Sequence, residues 1–340
     1  MVEFDLVEKN VKGIGTIDAL TSGFNLIARR PWAILLPVII NLLIWLGPTA
    51  GIAPLVQEIA DGLRATATLQ TGPYGEWVQS ASQALAEWGD AINLFDVLAV
   101  GIPVLAVPPQ GQSALHLDTW PGVAGVLAAL LLGGICLLAL YVVIIAQEVR
   151  GTRVAIGPVV GWTGRVAWRI MMLGIVLLGI ATLISLPGLM IIGILSLFSL
   201  QGAAILSSLL VWAALFLMIW LLFYLFFVLD AIALDDVGVR HAVSRSVVLV
   251  RHNSGPTLAL ILLTMLLGLG LGEVWLVIAK STPGIVAGII ANGYVSTALV
   301  AASLIFYSSR WHALQKQFGA LAMPVAEKAA EKDQTDRPSE

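Results

Sequence analysis

Between Ile170 and Leu229 the chain runs for sixty residues without an Asp, Glu, Lys, Arg or His. As one helix this run would be about 90 Å long, three times the roughly 30 Å hydrocarbon thickness of a bilayer. It must therefore double back and cross twice. Charged residues are only 11% of the whole, against about 25% in soluble domains, and the deficit is concentrated in runs of this kind. The fold class expected is all-α: a polytopic integral membrane helical bundle of about six transmembrane helices with amphipathic interfacial helices.

Windows long enough to cross fall at about 31–55, 121–146, 170–200, 201–229, 256–278 and 286–307. They divide the chain into an N-terminal segment with an amphipathic entry helix (1–30), a six-span domain (31–309) with a helical insert (56–120), and a tail (310–340) expected to lack fixed structure from about 318. The turn in the long run is expected near Ser199–Gly202, and Pro187-Gly188 is a candidate break in the third span. The N-terminus lacks the short basic region and cleavage site of a secretory signal.

Alternating the spans places sixteen of the eighteen Lys and Arg on one face, leaving Arg64 and Lys280 opposite. The positive-inside rule makes that richer face cytoplasmic, with both termini inside. The expected location is the cytoplasmic membrane of a prokaryote. The insert is acidic, with Glu58, Asp61, Glu76, Glu87, Asp90, Asp96 and Asp118. Within it Trp77, Ala81, Leu85, Trp88, Ile92 and Phe95 recur at helical spacing and predict one amphipathic helix, read as a cap on the bundle.

Three segments on the basic face have a common design, an amphipathic helix leading into a span. They contain Leu20, Phe24 and Ile27; Val159, Trp162 and Val166; and Val239, Val243, Val247 and Val250. The chain thus reads as three copies of helix, span, span. Arg29, Arg30, Arg165, Arg169, Arg240, Arg245 and Arg251 on these segments are candidate contacts for anionic lipid or a partner, at about 1 kcal/mol per basic residue near a membrane surface. The same charges are sufficiently explained as topology determinants.

No phosphate-binding loop, nucleophile elbow, zinc helix or calcium loop occurs, and Cys136 is the sole cysteine. No catalytic, cofactor or metal site is expected, nor a nucleic-acid partner. The partners expected are the bilayer and other membrane subunits. Three polar residues in spans are the candidates for chemistry. Glu273 is an acid inside a predicted span, near its outer end, and such groups are functional candidates by default. Asn41 reads best as an interhelical hydrogen bond. Asn292 dilutes the sixth span. Gly268-x-x-x-Gly272 and Gly284-x-x-x-Gly288 would let backbones approach closely, and read as intramolecular packing.

The stretch Phe227-Val228-Leu229-Asp230-Ala231-Ile232-Ala233, followed by Val239, Ala242, Ser246, Val250 and Arg251 and then a new span, resembles an element of a broad prokaryotic six-span membrane family of unknown function. That family is similar to the membrane-anchor region associated with glycerophosphodiester phosphodiesterases. Ala19 to Pro37, with Arg29-Arg30-Pro31, resembles its entry helix. The resemblance implies the spans and their amphipathic connectors. It excludes the long insert, and the soluble phosphodiesterase barrel has no counterpart here.

These features together lead to the expectation of a non-enzymatic scaffold, assembly factor or accessory subunit. The alternative is a transporter or channel in which Glu273 is the intramembrane acid.

Overall fold

The structure is a computed structural model and describes residues 13–68, 73–108, 114–151, 156–197 and 201–335. Helix α1 (Thr16–Arg29) is followed by a 3₁₀ turn (Pro31–Ile34) and α2 (Leu35–Leu46). The insert holds α3 (Ala53–Thr68) and α4 (Pro73–Ala91), then a second 3₁₀ turn (Leu94–Ala99). The remaining helices are α5 (Trp120–Arg150), α6 (Ile156–Leu197), α7 (Gln201–Leu225), α8 (Val228–Asp235), α9 (Val239–His252), α10 (Ser254–Ile278) and α11 (Thr282–Thr335). Two three-residue strands, β1 (Thr49–Gly51) and β2 (Ala114–His116), pair in parallel and clasp the two ends of the insert together. The protein is an all-α polytopic membrane bundle.

Five helical segments are long and apolar enough to cross a bilayer, and a sixth crossing arises if α1 and the Pro31–Leu46 segment, bent by 97°, count as one broken span. The first span therefore departs from the continuous helix expected over 31–55. Its helix stops at Leu46 because Pro48 has no N–H to donate and holds Gly47 extended, at ψ 175°. Pro187 lies inside α6 without ending it. The centre of the turn expected near Ser199 lies outside the described residues, and α7 begins at Gln201. The tail expected to lack structure is helical as far as Thr335, in keeping with its Ala, Glu and Lys content.

Burial ranks the spans. In the most apolar stretch of α11, 67% of residues are buried by protein, against 39% in α5, 11% in α6 and none in α7 or α10. Thus α11 is the axis of the bundle. α1 crosses it through small residues: a Cβ on Gly23 would lie 2.4 Å from the Ala298 carbonyl and 2.8 Å from the Ala302 nitrogen. Ala19 and Ile27 on the same face are fully buried. The contact is closed by the Ile14 N–H donating to Ser309 Oγ (2.9 Å) and Arg310 Nε donating to the Ile14 carbonyl (3.1 Å), while Thr16 Oγ1 donates to the Pro256 carbonyl of α10 (3.2 Å). α5 joins through Tyr141, whose hydroxyl donates to Thr297 Oγ1 at 3.1 Å.

The three expected copies differ. α1 and α9 are separate helices ahead of their spans, whereas the middle entry segment is continuous with its span in α6. α9 buries Ala242, Ser246, Leu249 and Val250, while Val239, Val243 and Val247 are only half-buried. The insert shows a similar rotation. α4 packs on α3 through Val78, Ser82 and Gly89, leaving Trp88 and Ile92 of the expected face exposed. Close approach is the reason, since a Cβ on Gly89 would meet Val56 Cβ at 2.7 Å.

Candidate functional site

Three regions gather the polar and aromatic residues that a membrane bundle does not need for bulk burial. The first lies toward the acidic end. After its second 3₁₀ turn the insert re-enters the bundle as non-helical backbone over 101–107, with Leu105 in a buried cluster with Trp45, Ile285 and Ile289. Irregular backbone at this depth is tolerated only where protein satisfies it. Asn41, 2% exposed, does so: its Nδ2 donates to the Pro103 carbonyl (3.1 Å) and to Pro37 (2.7 Å), and its Oδ1 accepts from the Leu105 N–H (2.7 Å). The expected interhelical bond is thus a bond from helix to re-entrant strand of chain.

That segment forms one wall of a groove of about 410 Å³, the other two being α10 and α11. Glu273 and Asn292 both line it, together with Ser296. Asn292 and Ser296 are 7% and 8% exposed, and neither has a hydrogen-bond partner among the described residues. Glu273 is exposed at the rim, and no ion pair joins it to Lys280 among the described residues. Gly268 and Gly272 line the same groove, and a Cβ on Gly272 would meet nothing within 4 Å. The packing expected of this glycine pair holds only at Gly268, where a Cβ would lie 3.8 Å from Leu299 Cδ1, while the missing side chain of Gly272 leaves the groove open. Gly288 does pack closely, a Cβ there lying 3.1 Å from Leu105 Cδ2.

The second region is an ionic belt at the basic end. Asp236, in a left-handed backbone conformation at φ 49°, accepts from Arg169 and, at 3.3 Å, from Arg165. Asp235 accepts from Arg245 and from the Tyr307 hydroxyl, the latter at 2.7 Å. The Arg245 guanidinium also lies 5.1 Å from the centre of the Trp311 ring, itself stacked on Tyr307. Arg30 pairs with Glu148 at 3.4 Å. Of the seven candidate arginines, four are therefore engaged within the chain. Arg29, Arg240 and Arg251 are exposed and have no acidic partner among the described residues.

Asp230, one residue beyond the expected fourth span, is buried within α8 at 6% exposure and accepts from Ser303 Oγ at 2.6 Å. Between α7 and α8 the helix breaks, and Ser246 takes up the freed backbone. Its hydroxyl donates to the Tyr224 carbonyl (2.7 Å) and accepts from the Phe227 N–H (3.2 Å). Sequence reasoning passed over Asp235, Asp236, Tyr307 and Ser296, and met Asp230 only as part of the Phe227–Ala233 stretch. The paired acids beside a predicted Arg-rich helix were a usable signal, while Ser296 carries none without its neighbours.

The third region is the α6–α7 hairpin. Its two helices splay around an apolar cavity of about 570 Å³ bordered by Pro187, Gly188 and Met218. On α7, Trp212 and Phe216 are 69% and 64% exposed. Trp212 lies about 17 Å along a helix of about 37 Å, within the long uncharged run. No hydrogen-bond partner for it occurs among the described residues. No family model, curated protein or solved structure matches this chain.

Proposed function

We propose that this chain is a non-enzymatic accessory subunit or scaffold of a membrane complex, in the cytoplasmic membrane of a prokaryote with both termini cytoplasmic. The observation that carries the reading is the exposure of Trp212 and Phe216 on α7, a helix with no residue buried in its most apolar stretch. Hydrocarbon offers an indole N–H no acceptor, and tryptophans exposed to lipid otherwise concentrate at the interfaces. A second integral membrane protein packed on α7 would cover both the ring and its N–H. Consumption of Asn41, Ser246, Asp230 and Asp235 by internal bonds supports the same reading, because these groups are committed to packing.

The test is a photo-crosslinking amino acid placed at Trp212 or Phe216 in native membranes, with Leu132 on α5 as control. The expected result is one discrete adduct with another membrane protein from α7 and none from Leu132. Lipid adducts alone at all three positions would overturn the proposal. A transporter is the second reading, favoured by Glu273 and Asn292 sharing one groove. It requires a solute flux in liposomes that Glu273→Gln abolishes at unchanged expression.

A further inference from the structure

The groove beside Glu273 has the composition of a ligand site. Its walls are apolar, contributed by Leu269, Leu276 and Leu299, and its volume of about 410 Å³ lies within the range of small-molecule pockets. Asn292 and Ser296 lie one turn apart on α11, each more than nine-tenths buried, and both line the groove with hydrogen-bonding capacity that no described residue meets. The polar atoms of both are not sealed in protein but remain accessible, and unpaired amides and hydroxyls are costly where water is scarce. Counted along the helices from their shared turn, Glu273 is about 7 Å deep, Asn292 about 15 Å and Ser296 about 21 Å. A negative charge at the rim is therefore followed inward by two neutral hydrogen-bonding groups.

We propose that this groove binds one phospholipid bearing a primary-amine headgroup, taken from the leaflet at the acidic end of the bundle. The ammonium would meet the Glu273 carboxylate, and the ester carbonyls would accept from Asn292 Nδ2 and the Ser296 hydroxyl. The acyl chains would lie along Leu269 and Leu299. Three observations select this occupant over others. Leu269 is 67% exposed on the membrane-facing surface of α10, so the groove opens sideways to lipid. The charge at the rim is anionic and no Lys or Arg lines the groove, which disfavours a purely anionic headgroup. The polar groups extend further inward than a headgroup alone would reach, which suits a molecule with acceptors at its glycerol level. The inference is independent of any partner on α7 and needs no solute flux.

The experiment uses the full chain purified in mild detergent, with native mass spectrometry after adding phosphatidylethanolamine, phosphatidylcholine or phosphatidylglycerol. Phosphatidylethanolamine is expected to give a saturable one-to-one adduct, at least about tenfold tighter than phosphatidylglycerol. Glu273→Gln is expected to weaken it about tenfold, and Asn292→Ala several-fold. Gly272→Leu fills the groove without meeting any atom within 4 Å of its Cβ. It is expected to abolish the adduct while leaving the unfolding midpoint unchanged. If it unfolds the protein, Glu273→Gln decides alone. Equal binding of phosphatidylglycerol, or phosphatidylethanolamine binding that survives Glu273→Gln undiminished, would overturn the proposal, as would the absence of any saturable adduct. Equal binding of phosphatidylcholine would overturn the primary-amine assignment.

Discussion

Single polar side chains decide where this backbone can break. Asn41 serves two backbone groups of a segment that has no helix of its own, and Ser246 serves two at the junction of α7 and α8. Removing such a side chain leaves buried peptide groups unsatisfied, at about 1–3 kcal/mol each. Asn41→Leu is expected to destabilise by about 2–4 kcal/mol, and Ser246→Ala by about 1–3 kcal/mol, read as lower unfolding midpoints in detergent. Of the residues that the sequence brings forward, Asn41 shows its importance by being polar in an apolar run. Asp230 is different. It stands one residue past an uncharged stretch, so periodicity places it at a surface, and only the packing of α8 against α11 buries it beside Ser303. What the sequence hides at this scale is the partner, because hydrogen bonds between residues 73 apart leave no local pattern.

Among the helices, the tight contacts are made by small residues. α1 meets α11 at Gly23, and α3 meets α4 at Gly89. Hydrophobic periodicity finds the large apolar side chains, so it assigned α4 the face of Trp88 and Ile92 and missed the face of Ser82 and Gly89 that makes the contact. Glycine spacing misleads in the opposite way, since Gly272 fits a packing motif yet borders open space, whereas Gly268 lies in ordinary contact with Leu299. The two cases predict opposite outcomes for one substitution. Gly23→Leu drives a side chain into α11 backbone and is expected to reduce folded yield to a small fraction, as judged by gel filtration. Gly272→Leu is expected to leave yield unchanged. Gly89→Leu is expected to loosen the α3–α4 hairpin alone, seen as faster proteolysis within the insert while the spans stay intact.

For the molecule as a whole, the number of apolar runs, their lengths and the one-sided distribution of Lys and Arg are legible without coordinates. They follow from the cost of charge in hydrocarbon, which acts on each residue separately. The ranking of spans is not legible in this way. α7 is among the most hydrophobic helices and no residue of its most apolar stretch is buried, while α11, diluted by Asn292, Tyr294 and small residues, is the axis. Hydropathy measures compatibility with lipid, and a helix shielded by protein has less need of it. Reporter fusions test the arrangement: those at Glu87, Arg165, Arg245 and the C-terminus are expected to read outside, inside, inside and inside. An outward result at Arg245 would reverse the orientation of α9 and its following spans.

The docking of α1 on α11 has a consequence in time. Ile14 and Ser309 are bonded across 295 positions of sequence, and no shorter path completes that contact. At about 5–20 residues per second, a ribosome needs roughly 15–60 s to travel between them. Until that interval ends, α1 is finished and its berth is incomplete. Its one-sided apolar face allows it to wait at the bilayer surface, so the same stripe serves first as a temporary mooring and then as the seam that closes the bundle once the last span arrives.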